Sequence, residues 1–285
     1  MKYFIHLVSL FNLIIYVFFS YLNDLKFIFK KKYKYNIIFI AGMPLSATTY
    51  IKNMVGLIPD YRSRLMPMSR STRNNQDISN TAFLLTPNWS YSIFKTHLNP
   101  KKKNIDILKK NKIKKIVVSF RDPRDVVVSR YYRLLKFPKK KYELHSSIDY
   151  NLIPKKEAIN HSIELVCKYL IPWVYGWMEI SKQNPNMIYF CKYEELTKNP
   201  EEQFRKILKF YEINLDDDQI KRIILKTKGT NDMTSNIIKG RFQPMALSSN
   251  YRKGGTGYWK DEFSNENIDL FNKLAGDALR KLNYE

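Results

Sequence analysis

Asn36 to Leu57 reads Asn-Ile-Ile-Phe-Ile-Ala-Gly-Met-Pro-Leu-Ser-Ala-Thr-Thr-Tyr-Ile-Lys-Asn-Met-Val-Gly-Leu. Its unbroken apolar run, Ile37 to Ile40, predicts a strand buried on both faces. A turn-forming loop follows, and apolar residues recur at helical spacing once the chain passes Ser46. Such a strand–loop–helix can bind phosphate, because free backbone N–H groups and the positive end of the helix dipole point at one spot. An ordinary turn fits this stretch equally well, and the Walker motif is absent.

The remainder of the chain alternates between strand and helix patterns. Short apolar runs predict strands at Tyr91–Phe94, Lys114–Phe120 and Met187–Cys191. Helical patterns or signals occur at Ile105–Lys112, from Pro123, at Glu157–Lys182 with a potential kink at Pro172, at Asn199–Tyr211, at Asp216–Lys228, and at Asn265–Leu282 with Ser264 as N-cap. Polar connections are predicted at Pro59–Thr86, Lys136–Pro154 and Thr230–Asn250. This alternation predicts an α/β fold, with helices packed on a central parallel β-sheet through right-handed crossovers.

Composition indicates an anionic partner. The 285 residues carry 49 Lys and Arg against 26 Asp and Glu, a formal net charge of +23. Nucleic acid, a membrane surface and a phosphate- or sulfate-bearing ligand are all compatible with that charge. Two cysteines, Cys167 and Cys191, are too few for a disulfide framework, and we expect reduced, packed thiols. The scattered His and Cys residues show no metal-ligand spacing, so no metal is implied.

The N-terminus predicts membrane association. Tyr3–Leu22 is largely apolar, and its 20 residues suffice to cross a bilayer. No small-residue cleavage site follows, which favours an uncleaved single-pass anchor over a signal peptide. Lysines follow this segment, so the positive-inside rule places the remaining domain on the cytoplasmic side; a peripheral helix in the membrane interface is the alternative. The predicted organisation is a membrane or interfacial helix (1–23), a basic linker (24–35) and one α/β domain (36–285).

Polar clusters follow three predicted strands, and a fourth lies in a Gly-rich loop. Ligands in such sheets bind beyond the C-terminal ends of the strands. The clusters can therefore converge on one pocket: Ser46–Tyr50, Lys95–His97, Arg121–Ser129 and Arg252–Gly254. Their hydroxyl groups, cations and closely approachable backbone suit a ligand with two separate phosphate groups.

The same clusters resemble the motifs of the PAPS-dependent sulfotransferases, in the order of that family and over most of the chain. The resembling segments are Gly42–Tyr50 for the 5′-phosphosulfate loop, Phe94–Leu98 for the catalytic-histidine segment, Arg121–Ser129 for the 3′-phosphate motif and Arg252–Trp259 for the C-terminal signature. The resemblance implies a three-layer P-loop-like fold. It also implies transfer of a sulfo group from PAPS to a hydroxyl or amine of a glycan, glycolipid or small-molecule acceptor, without a metal.

The resemblance assigns a role to each matching residue. His97 would be the general base, and Lys95 would place positive charge on the transferring group. The implied PAPS contacts are Leu45, Ser46, Ala47, Thr48 and Thr49 around the 5′-phosphosulfate; Arg121, Ser129, Arg252, Lys253 and Gly254 around the 3′-phosphate; and Tyr50, Tyr193 and Thr234 around adenine.

Leu45 departs from the family pattern, which usually has Lys or Arg at that position to stabilise the leaving phosphate oxygen. Losing one such charge slows chemistry by roughly two to three orders of magnitude. Three explanations are open: another cation substitutes, with Lys95 and Lys52 nearest in sequence; the enzyme is slow; or the site only binds ligand. Ala47, where Gly is usual, mainly limits backbone freedom.

Other functions compete with sulfo transfer. A non-catalytic PAP- or anion-binding membrane protein is compatible with Leu45. A P-loop nucleotide kinase would need the missing Walker lysine. Binding to nucleic acid is suggested by charge alone, without a recognisable reading module. Trp173 and Trp177, four residues apart, are expected in the core, with lining of an acceptor pocket as the alternative.

Overall fold

The computed structural model describes residues 18, 22, 24–29, 32–64, 76–79, 83, 86, 89–138, 148–233 and 254–285. Within them, a five-stranded parallel sheet has the order β2-β3-β1-β4-β5. The strands are β1 (Ile37–Gly42), β2 (Arg62–Ser63), β3 (Ser92–Thr96), β4 (Ile116–Phe120) and β5 (Ile188–Lys192). The central strand β1 pairs with β3 and β4, placing Phe39 opposite both Phe94 and Ile116. Consequently, the segments that leave β1, β3 and β4 begin at one edge of the sheet.

Helices connect and cover the strands. In chain order they are α1 (Thr48–Val55), α2 (Lys102–Lys110), α3 (Pro123–Lys136), α4 (Lys155–Leu165), α5 (Ile171–Gln183), α6 (Tyr193–Lys198), α7 (Pro200–Phe210), α8 (Asp217–Met233), α9 (Trp259–Glu262) and α10 (Asn265–Lys281). Asp122 caps α3 by accepting a hydrogen bond from the Arg124 N–H, and Pro123 fits the first turn. Ser264 caps α10 in a capping box with Asn267, as its sequence position predicts.

Alternate residues of β1 point into two different cores. Phe39 and Ala41 belong to a core that includes residues of α3, α4, α5 and α10. Ile38 and Ile40 belong to the opposite core, with residues of α1, α7 and α8. Because both faces of the strand are covered, its sequence is continuously apolar. The predicted α/β fold, with a central parallel sheet flanked by helices, is confirmed.

Sequence-based boundaries differ from the structure in a few places. The helix predicted at 157–182 begins at Lys155, and α4, a π-helical turn at Val166–Leu170, and α5 follow one another without a gap. Pro172, where a kink was predicted, lies just after the π-helical turn, and its missing N–H cannot continue the regular hydrogen bonds of an α-helix. The two-residue strand β2, inside the predicted 59–86 connection, and the short helix α6 were not predicted. Cys167 and Cys191 are free thiols, as expected.

The predicted N-terminal membrane helix lies almost entirely outside the described residues. Among the residues that are described, no helix has both the length and the apolar character needed to span a bilayer.

Part of the predicted basic linker packs on the α/β domain. The Asp24 carboxylate is buried and accepts hydrogen bonds from Arg64 Nη2 at 2.6 Å and Ser90 Oγ at 2.8 Å. Tyr33 is also buried, and its N–H donates to the Tyr91 hydroxyl at 2.9 Å. The described residues on either side of the gap at 30–31 are therefore packed against the domain.

Candidate active site

The β1–α1 loop is held in a strained, close-packed conformation. Leu45 and Ala47 have φ angles of 69° and 59°, in the left-handed region that costs a non-glycine residue about 1–2 kcal/mol. A Cβ on Gly42 would lie 1.6 Å from Thr48 Cγ2, so only glycine fits at that point. Ser46 is fully buried, and its hydroxyl donates to the Met43 carbonyl at 2.6 Å. The loop turns the chain tightly into α1.

The first turn of α1 presents hydrogen-bond donors to the site. Ala47 occupies the N-cap and provides no side-chain cap, so the N–H groups that begin the helix receive no capping side chain. The hydroxyl of Thr49 lies 3.4 Å from Lys95 Nζ, which brings the end of β3 against the start of α1. Two of the predicted clusters therefore meet here.

His97 lies just beyond β3 and contacts the end of β1. Its Nδ1 is 2.5 Å from the Gly42 carbonyl oxygen. A carbonyl only accepts hydrogen bonds, so Nδ1 carries the hydrogen and Nε2 of the neutral ring keeps its lone pair. Burial, reinforced by the nearby charge of Lys95, lowers the pKa of His97 to about 4, although the bond to Gly42 opposes this shift. The neutral form of the ring is therefore stabilised around neutral pH.

Cations lie near this histidine and near its neighbour Lys95. Burial lowers the pKa of Lys95 to about 8, with smaller contributions from the charges of Lys52 and Arg133. Burial also lowers the pKa of Lys52. In the part of the chain that the structure describes, neither lysine forms an ion pair with a carboxylate. The arrangement favours binding of an anion beside His97.

Two tryptophans fix the segment that follows His97. The indole N–H groups of Trp173 and Trp177 donate to the same acceptor, the Leu98 carbonyl, at 2.8 Å and 3.3 Å. Both side chains are buried in the core, as expected from the sequence. Helix α5 thus anchors the chain one residue beyond the histidine.

Arg121 occupies the end of β4 and organises a second cationic position. Its Nη1 donates to the Ser129 hydroxyl and its Nη2 to the Gly255 carbonyl, both at 2.8 Å. Its guanidinium also lies 4.0 Å from the centre of the Tyr193 ring. Among the described residues, Arg121 Nε is buried without a hydrogen-bond partner. Three predicted site residues, Arg121, Ser129 and Tyr193, are therefore in contact. A fourth, Gly254, is the sequence neighbour of Gly255, which Arg121 also contacts.

Asp125 was not predicted as a site residue, yet it attaches the Gly-rich loop to α3. The buried carboxylate accepts hydrogen bonds from the Gly257 N–H at 2.7 Å and the Trp259 N–H at 3.2 Å. It also lies 3.6 Å from Arg121 Nη2. A single aspartate in a helix's first turn is ordinarily explained as a favourable charge for the helix dipole. Its long-range bonds give no local sequence signal.

Glu194 was likewise missed. Its carboxylate accepts from the Asp122 N–H at 3.0 Å and from the Tyr284 hydroxyl at 2.9 Å, linking the loop after β4 to the C-terminus. Burial raises the pKa of this carboxyl group. The predicted site residue Tyr193 is its neighbour in sequence and is buried at the start of α6.

The remaining predicted positions divide into two groups. Tyr50 is half-buried on α1 and packs against the core formed by α1, α7 and α8. Thr234, Arg252 and Lys253 lie outside the described residues. Over the described ranges, no cluster of three or more His, Cys, Asp or Glu residues could hold a metal ion.

Comparison with known proteins identifies the family. The sulfotransferase domain model matches residues 36–283, which is nearly the whole chain beyond the N-terminal segment. The chain therefore belongs to the sulfotransferase family, whose members are enzymes. The resemblance based on the four sequence motifs is confirmed at the level of the family.

Several relatives extend along most of the chain. Sulfotransferase 1B1 of Mus musculus is 27% identical over 271 residues, covering 85% of this chain and 84% of the relative. The amine sulfotransferase of Oryctolagus cuniculus is 25% identical and covers 85% and 80%, respectively. Among solved structures, mouse sulfotransferase SULT7A1 complexed with PAP has a TM-score of 0.65 at 22% identity, covering 87% of this chain and 85% of that chain. At this identity, the structural similarity establishes the fold.

Proposed function

We propose that this protein transfers a sulfo group from PAPS to a hydroxyl or amine of an acceptor, with His97 as the general base. One observation carries the proposal: the hydrogen bond from His97 Nδ1 to the Gly42 carbonyl, which leaves Nε2 as an available base. That base lies at the end of the central strands, beside Lys95 and the β1–α1 loop. A base, a cation and a phosphate-binding type of loop are the parts that sulfuryl transfer requires.

The residues present fit a donor with two phosphate groups. The N–H groups at the start of α1, with the Thr48 and Thr49 hydroxyls, suit the 5′-phosphosulfate. The buried, unpartnered Nε of Arg121 and the adjacent Ser129 suit the 3′-phosphate. Arg252 and Lys253 are proposed for the same phosphate on the basis of sequence, and Tyr50, Tyr193 and Thr234 for adenine. The mouse SULT7A1 structure is a complex with PAP, which supports the choice of donor.

In the proposed transfer, a bond forms between the acceptor oxygen or nitrogen and sulfur as the bond from sulfur to the 5′-phosphate oxygen breaks. The acceptor's proton passes to His97 Nε2, and PAP leaves with the electron pair of the broken bond. Lys95 stabilises negative charge on the oxygens of the transferring group. PAPS supplies the activated sulfo group, whereas the protein residues bind, orient and remove the proton.

We further propose that Lys52 and Lys95 replace the cation missing at Leu45. Both lysines lack a carboxylate partner in the described ranges, and burial followed by the charge of Lys52 lowers the pKa of Lys95. Lys95 contacts Thr49 in the first turn of α1, so its charge lies beside the proposed 5′-phosphosulfate position. Positive charge can therefore reach the leaving group without a basic residue in the loop.

The acceptor is proposed by class: a hydroxyl- or amine-bearing glycan, glycolipid or small molecule. Relatives include an amine sulfotransferase and the flavonol 3-sulfotransferase of Flaveria bidentis, so nitrogen and oxygen acceptors both occur among the matches by name. We propose that the connections at 59–86 and 136–154, which are only partly described, contribute to acceptor choice.

We also propose that the protein is membrane-associated through its N-terminus, with the sulfotransferase domain on the cytoplasmic side. The charge asymmetry of the sequence supports the orientation. Leu25, Ile28 and Phe29 are exposed just after the apolar N-terminal stretch, and Phe29 is 93% exposed. Such residues suit the interface of a bilayer.

Calorimetric titration of the full chain in detergent tests the donor site. We expect PAP to bind and Arg121→Met to weaken it by at least about tenfold, because a charge-assisted contact is lost. Arg222→Met, at an exposed position on α8, should bind PAP like the wild type. Preference for ATP with Mg²⁺ over PAP would contradict the proposal in favour of a nucleotide kinase. Tight PAP binding without any sulfo transfer would favour the non-catalytic alternative.

A further inference from the structure

The cations near His97 and Lys95 come from different elements of the fold. Lys52 is on α1, and Lys95 at the end of β3 reaches α1 through Thr49 at 3.4 Å. Arg133 comes from α3, which begins after the neighbouring strand β4. A donor held by the β1–α1 loop therefore has Lys52 and Lys95 beside α1, whereas Arg133 adds its charge from α3.

Helical spacing places Arg133 on the face of α3 that lines the site. Ser129 is on that face, because its hydroxyl accepts the hydrogen bond from Arg121 Nη1 at 2.8 Å. Residues four apart on a helix lie one above the other, so Arg133 is one turn beyond Ser129 on the same face. Its side chain is half-buried. Electrostatic coupling agrees with this placement, since burial and then neighbouring charges, that of Arg133 among them, lower the pKa of both His97 and Lys95.

A cation next to the base has a specific consequence for the acceptor. The acceptor group must come within hydrogen-bonding reach of His97 Nε2 to lose its proton. Arg133 therefore lies where the body of the acceptor enters, while the proposed donor contacts lie toward α1, Arg121 and Ser129. A partly desolvated guanidinium favours a carboxylate, sulfate or phosphate, which it can bind through two parallel hydrogen bonds.

We propose that Arg133 forms a subsite for an anionic group on the acceptor, so that the preferred acceptors are hydroxyl or amine compounds that also carry a carboxylate, sulfate or phosphate. This inference rests on the proposed function, because it assigns the acceptor side of the same site. The anionic group lies beside the nucleophile and is not itself sulfated. An acidic glycan or an acidic small molecule satisfies this description, whereas neutral phenols and sterols do not.

Matched acceptor pairs test the subsite. The full chain in detergent is given radiolabelled PAPS with 4-hydroxybenzoate or its methyl ester, and with chondroitin or its carboxyl-reduced form. We expect the anionic member of at least one pair to have a kcat/KM at least about tenfold higher, reflecting a charged hydrogen bond. Arg133→Met should abolish the preference by raising KM for the anionic acceptor, and Arg133→Lys should restore part of it. Arg222→Met is the control with the same side-chain change at an exposed position.

A second readout reports on Arg133 without turnover. In an NMR titration of the ligand-free protein, Arg133→Met should raise the pKa of His97, because a neighbouring positive charge has been removed. An unchanged pKa would overturn the proposed placement.

The outcomes separate the two proposals. Equal use of both members of every pair, or a preference unchanged in Arg133→Met, overturns the anionic subsite while leaving sulfo transfer established. A fall in kcat for charged and neutral acceptors alike would overturn it too, by making Arg133 a cation for the transferring group. Failure to bind PAP or to transfer sulfate to any acceptor would instead overturn the proposed function, and the subsite with it.

Discussion

The proposed chemistry needs Lys95 in its charged form, but burial and neighbouring cations favour loss of its proton. Its pKa is lowered to about 8, so the charged form is lost as the pH rises through that value. We therefore predict that kcat/KM for PAPS falls above about pH 8, since this parameter reports the free enzyme. Initial rates at limiting PAPS over roughly pH 6–10 measure this fall in kcat/KM, because the range includes pH values on both sides of the pKa of Lys95.

Lys95→Arg provides the control, because arginine keeps its proton throughout that range. The alkaline decline should move to higher pH in this variant, whatever its absolute rate. A decline unchanged in Lys95→Arg would show that a different group titrates and would contradict the role given to Lys95.

A second prediction concerns Lys52 as the replacement for the cation missing at Leu45. If Lys52 supplies charge that Leu45 cannot, Lys52→Met should lower kcat by roughly two to three orders of magnitude. Adding a cation in Leu45→Lys should restore much of this loss in the double variant. Single-turnover rates with a fixed acceptor measure both changes. Lys52→Met with a wild-type rate would assign the compensating charge elsewhere.

Sequence reasoning located residues whose neighbours in the chain show their chemistry. His97 after Lys95, and Arg121 eight residues before Ser129, can be recognised from local spacing. Asp125 and Glu194 were not predicted as site residues because their hydrogen-bond partners, such as Gly257 and Tyr284, are far away in sequence. The tautomer of His97 also required the structure, since it depends on the carbonyl of Gly42.

The Gly-rich loop and α3 act as one unit because Asp125 joins them. Asp125→Ala leaves the N–H groups of Gly257 and Trp259 without their acceptor and removes a carboxylate near Arg121. We predict a loss of about 1–3 kcal/mol in the free energy of unfolding, together with weaker PAP binding. Chemical denaturation and calorimetry measure the two effects.

The matched control for Asp125 is Asp277→Ala. Asp277 accepts a hydrogen bond from Arg280 at 2.6 Å on the surface of α10, where such pairs contribute about 0–1 kcal/mol. Equal stability losses in both variants would contradict the structural role of Asp125. Unchanged PAP affinity in Asp125→Ala would separate the loop from donor binding.

Strands and helices were predictable where the hydrophobic pattern was strong or where a capping residue marked the end of the element. The buried runs at β1 and β4, and the Ser264 cap of α10, carried clear signals. Strand β2 consists of only two residues, Arg62 and Ser63, and both are exposed. Its pairing with β3 comes from tertiary packing. Pro172 indicated an irregularity in the long helix, but a proline alone does not distinguish a kink from the π-helical turn at Val166–Leu170 that the structure shows.

At the scale of the whole molecule, the folded unit extends further toward the N-terminus than charge patterning suggested. Lys26 and Lys32 pair with Asp60, and Lys34 pairs with Glu212. The sequence showed a basic run, whereas these contacts with the domain depend on residues distant in the chain. The run is therefore partly an intramolecular surface, which hydropathy and net charge cannot reveal.

Truncation tests this extension. A protein comprising residues 36–285 lacks the buried side chains of Phe27 and Tyr33 and the buried pair between Asp24 and Arg64. We predict that it is less stable than a protein comprising residues 22–285 by at least about 3 kcal/mol, since each large buried side chain contributes about 1.5–3 kcal/mol. Urea denaturation measures the difference. Equal midpoints and slopes would show that residues 24–35 do not stabilise the domain.

Transfer of labelled sulfate from PAPS by the wild type and by His97→Ala tests the central claim most directly. Both proteins are first shown to bind PAP, so that the comparison concerns the base and not the donor site. We predict transfer by the wild type to at least one hydroxyl or amine acceptor in a broad panel, and loss of that transfer in His97→Ala with PAP affinity retained. Transfer that persists at the wild-type rate in His97→Ala, or no transfer by the wild type to any acceptor, would contradict the assignment of His97 as the base for sulfo transfer.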